Sequence, residues 1–323
     1  MLFKSLPLFL LLPFNILIAL AIAPVSQALN HNLNQPSSLV PPSTILTYHG
    51  GPILNGPSPI SIYLIWYGSF YQKDRAPITD FFASFSNPTA KTTTVATWWN
   101  TILSYKDKAG NSVSSKIRLA KQLGDVKYSL GKNIKRAQIT TYVKNKIDTK
   151  LLPSDPNGIY LVLTSKDVVV EQFCMNSCGF HSSIVTSTKR RLVYAHVGDP
   201  AVQCPGLCAW PYAIPAYGPP GQALVAPNGI GTDGIIMNIA TVLAGATTNP
   251  FMSGYFQGDA LAPLEAVTAC PGIFGAGAYP GYPGDLKVDK MSKASYNAYG
   301  VNGRKFLLPT MWDPVQINCK VVT

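Results

Sequence analysis

The feature that most constrains the fold of this chain is a long apolar segment over residues 231–250. Asp233 can cap an amide of the first turn, and Asn249 precedes a proline that ends the segment, so the pattern predicts a helix. The side chains between them leave no polar face, and a helix that is apolar all round is buried. Asn238 and Thr241 interrupt the segment on one shared face and need hydrogen-bond partners there. We therefore expect a core helix around which the other elements pack.

Strand and helix patterns alternate along the rest of the chain. Two apolar runs, residues 60–67 and 159–164, predict strands that are buried on both faces. Shorter strands are predicted over residues 117–123, 126–130, 182–185 and 192–197, and helices over residues 80–85 (capped by Thr79), 95–105, 138–147 and 264–270. Residues 272–284 contain too many Gly and Pro residues for regular structure. This order predicts an α/β (α+β) fold, a mixed sheet packed with helices around one central buried helix.

Residues 1–28 have the composition of a secretory signal peptide. Lys4 is the only charge, the run that follows it is overwhelmingly apolar, and Ser-Gln-Ala closes the stretch. Cleavage after Ala23 is an alternative. We expect residues 29–45 to form a flexible tail and residues 46–323 to form a single globular domain. The predicted location is the extracellular space, and the mature chain is not expected to span a membrane.

Six cysteines in a secreted chain predict disulfide bonds. They are Cys174, Cys178, Cys204, Cys208, Cys270 and Cys319. Six cysteines allow fifteen pairings, and the sequence does not choose among them. The two Cys-x3-Cys pairs also resemble zinc half-sites, but an oxidising compartment favours disulfides. One bridge is expected to close the C-terminal tail back onto the body of the protein.

Basic residues are concentrated in one part of the chain. Between Lys106 and Lys150 there are twelve basic residues and three acidic ones, which places +9 of the total charge of +11 in this section. The residues that we expect to form a basic binding surface are Lys116, Arg118, Lys121, Lys132, Lys135, Arg136, Lys144 and Lys146. Outside a cell, the matching partner would be an acidic polysaccharide or an anionic membrane surface rather than nucleic acid. The alternative is a solvated face without a ligand.

The sequence contains no recognisable catalytic arrangement. It has no Gly-x-Ser-x-Gly turn for a serine nucleophile, and His181 and Ser182 alternate to opposite faces of a strand. Cys178 could act with His181 as a nucleophile only if it escaped oxidation. Glu171 and Glu265 are the only glutamates, so a glycosidase would need a carboxylate pair that forms in the folded chain. We therefore predict no catalytic residue and no cofactor, and we expect His181 to be structural.

The core helix weakly resembles the metal-binding helix of secreted zinc peptidases, which begins with His-Glu and ends with Thr-Asp-Pro. Counting back from Thr248-Asn-Pro, Thr241 and Val242 stand at the positions of the first ligand and the general base. Gly245 stands at the position of the second ligand. None of the three can bind zinc or act as a base, so this comparison predicts a degenerate zincin-like fold with no metal ligands.

Seven stretches of the sequence carry a family resemblance. They are Tyr48-His-Gly-Gly-Pro-Ile-Leu, Ile62-Tyr-Leu-Ile-Trp-Tyr-Gly, Cys178-Gly-Phe-His-Ser, Gln203-Cys-Pro-Gly-Leu-Cys-Ala-Trp-Pro, Gly245-Ala-Thr-Thr-Asn-Pro-Phe, Gly277-Ala-Tyr-Pro-Gly-Tyr-Pro-Gly-Asp-Leu and Val301-Asn-Gly-Arg-Lys-Phe-Leu-Leu-Pro. In this order they resemble the plant EXORDIUM family, also called phosphate-induced proteins. The resemblance implies an apoplastic, wall-associated protein that promotes cell expansion and brassinosteroid-linked growth. It implies no catalytic residues, because none are established for the family.

The favoured interpretation is therefore a secreted binding protein rather than an enzyme. One alternative is an extracellular hydrolase that is a degenerate relative of zinc peptidases. Another is a lectin, and the aromatic residues that could stack on its sugars are Trp210, Tyr212, Tyr217, Tyr279 and Tyr282. The lectin interpretation predicts a neutral glycan and binding that salt does not weaken, whereas the basic surface predicts an acidic ligand and salt-sensitive binding.

Overall fold

A five-stranded mixed sheet lies at the centre of the fold. Its strands are β1 (Ile60–Tyr67), β2 (Ile117–Asp125), β3 (Gly158–Thr164), β4 (Gly179–Val185) and β5 (Arg191–Gly198). Their order across the sheet is β2-β1-β3-β5-β4, and every adjacent pair is parallel except β5 and β4. Every residue of β1 and β3 is buried, which confirms the two predicted strands that are covered on both faces.

The computed structural model describes residues 45–86, 93–175, 177–217, 221–259 and 262–321. These residues belong to one compact unit. The predicted signal peptide lies outside the described residues, as does the predicted tail apart from residue 45, so both stay predictions.

The described residues contain five α-helices, which together with the sheet form three layers. They are α1 (Gln72–Ala83), α2 (Val95–Trp99), α3 (Arg136–Asp148), α4 (Pro205–Cys208) and α5 (Ile230–Thr248), with 3₁₀ turns at Ser84–Ser86, Asn100–Ser104 and Val301–Gly303. Side chains alternate along a strand. Ile62 and Leu64 of β1 therefore join the core that α1 and α5 form on one face of the sheet. Tyr63 and Ile65 join the core that α3 forms on the other face.

The helix α5 confirms the predicted core segment. Fifteen of its 19 residues are buried, and it packs on β4 and β5. Asp233 does not cap the first turn; its carboxylate accepts hydrogen bonds from the amide (2.7 Å) and the side chain (2.8 Å) of Asn228. Among the described residues, α5 is the one helix that is long and apolar enough to cross a membrane. Within the protein, 83% of its most apolar stretch is buried.

The helix predicted over residues 80–85 starts earlier than expected, at Gln72. Thr79 lies inside this helix instead of capping it, and its hydroxyl donates to the carbonyl of Ala76. Pro77 also lies inside and removes one backbone hydrogen bond. The burial of the large apolar side chains that follow Pro77 offsets this loss.

The strand predicted over residues 126–130 is wrong, because the chain turns there. β2 continues to Asp125, whose carboxylate accepts hydrogen bonds from the amide and the hydroxyl of Ser129. Tyr128 adopts a φ of 53°, which an extended strand does not allow. Side chain to backbone hydrogen bonds of this kind compete with strand formation.

The helix predicted over residues 264–270 is also wrong. Leu264 pairs with Gln257 in an antiparallel bridge, and turns follow as far as Cys270. The remaining predicted strands and helices are confirmed, with boundaries that differ by a few residues. The helix predicted over residues 95–105 is α2 followed by a 3₁₀ turn.

Short two-stranded ladders account for much of the remaining regular structure. The antiparallel ones pair Thr47–Tyr48 with Tyr255–Phe256, Lys287–Val288 with Ser295–Tyr296, Ala298–Tyr299 with Lys305–Phe306, and Met311–Asp313 with Asn318–Lys320; Asn133–Ile134 and Val169–Val170 are parallel. Two buried hydrogen bonds tie the C-terminal part to the body. The Trp98 indole donates to the carbonyl of Pro309 (2.8 Å), and the Tyr105 hydroxyl donates to that of Trp312 (2.6 Å).

Three disulfides confirm the prediction made from the cysteine count. They are Cys174–Cys204, Cys178–Cys208 and Cys270–Cys319. The zinc half-site alternative is wrong for these cysteines, because each sulfur is bonded to another sulfur. The two Cys-x3-Cys runs pair in register, and each bridge spans 30 residues. In the chain-entropy model, a bridge of this span stabilises a fold by roughly 3.6 kcal/mol. As predicted, the third bridge returns the C-terminal tail to the body.

The strand β5 carries a buried histidine that predicts acid sensitivity. The Nε2 atom of His196 lies 3.0 Å from the Thr164 hydroxyl oxygen. Burial, with a contribution from the charge of Arg136, lowers the pKa of His196 to about 3. The unfolded chain therefore binds a proton that the folded chain does not as the pH falls through 6.5 towards 3. We expect the free energy of unfolding to lose up to about 1.4 kcal/mol per pH unit in this range from His196 alone.

Denaturant unfolding of wild type and His196→Gln at several pH values tests this. The stability gap between the two proteins should shrink as the pH falls. Thr164→Val is the matched control, because it leaves the imidazole buried and should keep the wild-type pH slope. Parallel pH slopes for wild type and His196→Gln would contradict the assignment.

Candidate functional site

The two polar side chains within the apolar core helix, Asn238 and Thr241, face a cavity of about 250 Å³. Asn238 donates its side-chain amide to the carbonyl of Cys208 (2.9 Å), and the Thr241 hydroxyl donates to the carbonyl of Met237 (3.0 Å). The amide oxygen of Asn238 and the hydroxyl oxygen of Thr241 keep the capacity to accept further hydrogen bonds. The prediction that these residues share a face and need partners is confirmed, and the partners leave the face free to receive a ligand.

Disulfide-anchored segments form the walls of this inner cavity. Besides the two helix residues and Met237, its lining consists of Leu207, Cys208, Trp210, Val267, Thr268, Cys270, Pro271, Gly272, Phe274 and Pro309. Cys208 and Cys270 belong to two different bridges. Because both bridges hold the walls in place, the cavity is largely preformed, as small-molecule sites usually are.

Trp210 also lines a second concavity, an aromatic groove of about 320 Å³. The other residues of this groove are Pro211, Ile214, Gly221, Gln222, Leu224, Gly281, Tyr282, Pro283, Gly284, Leu286, Val288 and Ser295. Trp210 is half-buried, and its ring packs against Phe274 with centroids 5.9 Å apart. One indole therefore belongs to both the inner cavity and the aromatic groove.

The Gly- and Pro-rich stretch that the sequence predicts to be irregular forms one wall of the aromatic groove. The amides of Phe274 and Gly275 both donate to the carbonyl of Pro283 (2.9 Å each). Gly284 has a φ of 96°, and a Cβ there would lie 2.2 Å from the Gly275 carbonyl oxygen, so only glycine fits. The Tyr282 hydroxyl donates to Asp285 (2.7 Å). These contacts hold the Tyr282 ring in place without a helix or strand.

The aromatic residues considered for a lectin do not all lie at one site. Trp210 and Tyr282 line the aromatic groove, and the Tyr279 ring lies beside Tyr282 with centroids 5.1 Å apart. Tyr212 is a core residue, and its hydroxyl donates to the carbonyl of Ser295 (2.6 Å). Tyr217 is 95% exposed and belongs to neither lining. Sequence reasoning found the aromatic residues but not Asn238 and Thr241 as part of the same site.

The predicted basic surface extends over β2 and α3, but its residues are not equivalent. Lys132 forms an ion pair with Asp167 (2.6 Å), and Lys144 pairs with Asp148. Arg136 packs on the Phe180 ring at 4.3 Å and donates to the Ser177 hydroxyl, so it is part of the structure. Lys146 is half-buried over the Tyr142 ring. The exposed members that form no ion pair within the described residues are Lys116, Arg118, Lys121 and Lys135.

A concave surface of about 570 Å³ adjoins the basic surface. It lies between the end of α3 and the turn after β4, and its polar lining consists of Lys121, Asp148, Lys150, Ser154, Thr186, Ser187 and Thr188. Lys121 and Lys150 outnumber the one carboxylate, that of Asp148, which accepts a hydrogen bond from the Ser187 hydroxyl (2.9 Å). The excess of ammonium groups is suited to acidic ligands. Binding by the basic surface stays a prediction.

His181 lies in a buried polar cluster. Its Nε2 atom lies 2.9 and 3.0 Å from the two carboxylate oxygens of Glu265, and the Asn249 side chain donates to the same carboxylate (2.7 Å). This cluster connects β4, the end of α5 and the turn that replaces the predicted helix. Cys178 is in a disulfide, so the cysteine nucleophile considered with His181 is wrong. Strand alternation places Ser182 on the opposite face from His181.

The zincin-like comparison finds no support in the structure. Thr241 faces the inner cavity, Val242 approaches Gly179 of β4, and Gly245 lies against the cluster of His181 and Glu265. Within the described residues, no group of three His, Cys, Asp or Glu side chains is placed to hold a metal ion.

Fold and site together define a disulfide-linked, three-layer α/β protein with an aromatic groove next to its core helix. The chain matches the family model "Phosphate-induced protein 1 conserved region" over residues 46–322, and it belongs to this family. It is 45% identical to Protein PHOSPHATE-INDUCED 1 of Nicotiana tabacum over 289 residues, which cover 87% of this chain and 90% of that protein.

Two relatives from Arabidopsis thaliana are similarly close. Protein EXORDIUM is 47% identical over 289 residues (86% of this chain and 89% of that protein). Protein EXORDIUM-like 2 is 46% identical over 286 residues (86% and 90%). These matches confirm the family resemblance. No solved structure matches the chain.

The cluster of His181 and Glu265 depends on a glycine in α5. A Cβ at Gly245 would lie 2.3 Å from a Glu265 carboxylate oxygen and 3.2 Å from His181 Nε2. We expect Gly245→Ala to push the cluster apart and to lower the free energy of unfolding by about 1–3 kcal/mol, although alanine is the better helix former. Gly124→Ala is the control, because nothing lies within 4 Å of a Cβ there. Denaturant unfolding of both variants measures the effect; a Gly245→Ala protein as stable as wild type would contradict this role.

Proposed function

We propose that this protein acts outside the plant cell as a wall-associated, glycan-binding protein that promotes cell expansion and brassinosteroid-linked growth, by binding rather than by catalysis. The growth role is proposed from the EXORDIUM and phosphate-induced family. Secretion is supported by the composition of residues 1–28. It is also supported by three disulfides, since such bridges persist in oxidising compartments.

The observation that carries the glycan proposal is the shared position of Trp210. Its ring is accessible from the aromatic groove and from the inner cavity. A sugar ring offers an apolar face for stacking and hydroxyls at its edge. Large aromatic rings supply contact area at low entropic cost, and the polar atoms nearby fix orientation. Gln222 lies on the groove side of Trp210, and Asn238 with Thr241 on the cavity side.

The distribution of polar groups favours a neutral glycan at this site. Neither the inner cavity nor the aromatic groove has a Lys, Arg, Asp or Glu side chain in its described lining. Hydrogen bonding to hydroxyls therefore has to come from amide, hydroxyl and backbone groups. An acidic sugar would lack a countercharge here, and burying its carboxylate would be costly.

The basic surface provides a second candidate ligand, an acidic wall polysaccharide. The favouring observation is the 570 Å³ concave surface, where the two ammonium groups of Lys121 and Lys150 outnumber the one carboxylate, that of Asp148. Lys121 is held by a hydrogen bond to the carbonyl of Leu151 (2.8 Å). Such a site would attract uronate chains, and salt would weaken the attraction.

Binding to neutral wall oligosaccharides tests the first proposal. We expect Trp210→Ala to weaken binding by about tenfold, since the variant loses both stacking area and aromatic geometry. Tyr217→Ala is the control, because Tyr217 is exposed outside both linings. A glycan array read at two ionic strengths, followed by titration of the best ligand, makes the measurement, and circular dichroism checks the fold. Equal affinity for wild type and Trp210→Ala, or binding lost in salt, would overturn the proposal for this groove.

Binding to de-esterified pectin over a salt series tests the second proposal. We expect the double variant Lys116→Glu, Lys121→Glu to bind about five- to tenfold more weakly than wild type, with a shallower salt dependence. The control is Lys290→Glu, Lys293→Glu, which changes the net charge equally at exposed lysines outside the basic section. If both double variants lose affinity to the same extent, net charge and not the basic surface is responsible.

A further inference from the structure

Two tyrosine rings lie side by side next to the aromatic groove. Tyr279 and Tyr282 form an isolated antiparallel bridge, in which each amide donates to the carbonyl of the other residue (3.0 and 2.8 Å). Pro280 and Gly281 close the turn between them, and Gly281 has the positive φ (91°) that the second central position of a type II turn requires. Residues that are paired in this way carry their side chains on one face. The backbone therefore holds the two phenols next to each other.

The geometry of these two rings is suited to the formation of a bond between them. Their centroids lie 5.1 Å apart, and their planes are inclined by 35°. Tyr279 is 65% exposed, and Tyr282 is half-buried. Exposed side chains rotate on a timescale of picoseconds to nanoseconds, so the ring edges can meet without a change in the backbone. Solvent and dissolved oxidants reach the same pair.

The hydroxyl of Tyr282 has a proton acceptor in place. It donates a hydrogen bond to the carboxylate of Asp285 (2.7 Å), and this hydrogen bond raises the pKa of Tyr282. The phenol is therefore protonated at neutral pH. When an electron leaves the ring, however, the hydroxyl becomes strongly acidic, and the carboxylate can take its proton at once. Asp285 is exposed, so it can pass this proton on to water.

No other pair of tyrosines in the described part of the chain combines ring contact with access in this way. Every other pair of tyrosine rings in contact there has at least one buried member. Tyr296 and Tyr299 also have centroids 5.1 Å apart, but they meet edge to face and Tyr296 is buried. Tyr217 is 95% exposed, but no tyrosine ring within the described residues lies beside it.

We propose that Tyr279 and Tyr282 are a site of oxidative modification, at which a haem peroxidase and hydrogen peroxide join the two rings as dityrosine. The peroxidase takes one electron from each phenol, and each hydroxyl releases its proton. The two phenoxyl radicals then form a carbon–carbon bond between ring carbons next to the hydroxyls. The hydrogen on each joined carbon moves to the phenol oxygen, which restores both phenols. The two electrons and two protons reduce hydrogen peroxide to two molecules of water.

The modification would add a covalent bond to one wall of the aromatic groove. Tyr282 lines this groove, so the bond would restrict the movement of its ring there. The reaction needs no glycan, and it can therefore be tested whether or not the groove binds one. The extracellular location proposed above enters only as the oxidising compartment in which the protein would meet the oxidant.

Treatment of the full mature protein with hydrogen peroxide and a purified haem peroxidase tests the proposal. After oxidation, the disulfides are reduced and alkylated, and the chain is cleaved before each aspartate. This cleavage releases residues 259–284, which contain Tyr279 and Tyr282 and no other tyrosine. We expect this peptide to lose the mass of two hydrogen atoms and to show dityrosine fluorescence. Its fragment spectra should lack products of cleavage between the two tyrosines.

Four variants assign the reaction to these residues. Tyr279→Phe and Tyr282→Phe each keep the ring but lose the hydroxyl, so neither should give a linked peptide. Asp285→Asn should lower the initial rate of linkage by about fivefold, because a carboxamide does not take up the proton. In this variant the peptide extends to residue 288, still without another tyrosine. Tyr217→Phe is the control and should leave the yield unchanged, although Tyr217 is more exposed than Tyr279.

The mass of the wild-type peptide decides the proposal by itself, even if a variant fails to fold. An unchanged peptide 259–284 after other tyrosines have been oxidised would overturn it. Dityrosine that forms only between molecules would overturn it as well, in favour of exposed tyrosines such as Tyr217 as the reactive sites. A linked peptide from Tyr279→Phe or Tyr282→Phe would show that the bond joins other residues. Circular dichroism before oxidation checks the fold of each variant.

Discussion

The constraint on which the structure depends is that α5 must be covered on every side. A helix with fifteen of 19 residues buried would expose a large apolar area if any covering element were removed, at about 25 cal/mol for each Å². The sheet covers only one side of it. The other sides need α1 and the segments after Pro250, which lack long helices or strands. The packing of α5 therefore requires the irregular second half of the chain to be ordered.

Disulfides and close backbone contacts order this second half of the chain, whereas helices and strands order the first half. The bridge Cys178–Cys208 fixes α4 against the start of β4, and Cys270–Cys319 fixes the turns after Leu264 against the last ladder. Gly284 allows two loop segments to approach closely. The walls of the inner cavity beside Trp210 follow from these constraints. Cys208 and Cys270 hold short irregular segments on either side of α5, and these segments leave a concave surface between them. In this way the covering of the core helix and the formation of a site have the same physical cause.

The sequence could predict the elements whose signal is local, and the structure confirms them: the core helix, the two buried strands, the helix α3 and the presence of disulfides. It failed where a local signal conflicted with tertiary contacts. Thr79 predicts the start of a helix, but α1 begins at Gln72 and continues through Pro77, because burial of the large apolar side chains that follow Pro77 outweighs one lost hydrogen bond. The site around Trp210 could be predicted only in part, because Trp210 and Tyr282 are far apart in sequence. The cavity of about 290 Å³ at the carboxyl edge of the sheet, which Lys166, Asp199 and Thr232 help to line, could not be predicted at all, since its walls depend on the order of the strands.

The polar residues of α5 explain why a helix that serves as core can also support a site. Asp233 holds the segment before the helix through Asn228, and Asn238 holds α4 through the carbonyl of Cys208. The Thr241 hydroxyl donates a hydrogen bond to the carbonyl of Met237, within α5 itself. At a rise of about 1.5 Å per residue, Asn238 lies only about 8 Å along the axis from Asp233. The segment before α5 and the inner cavity at the middle of α5 are therefore positioned by one continuous helix, so neither can shift along the sheet without moving the other.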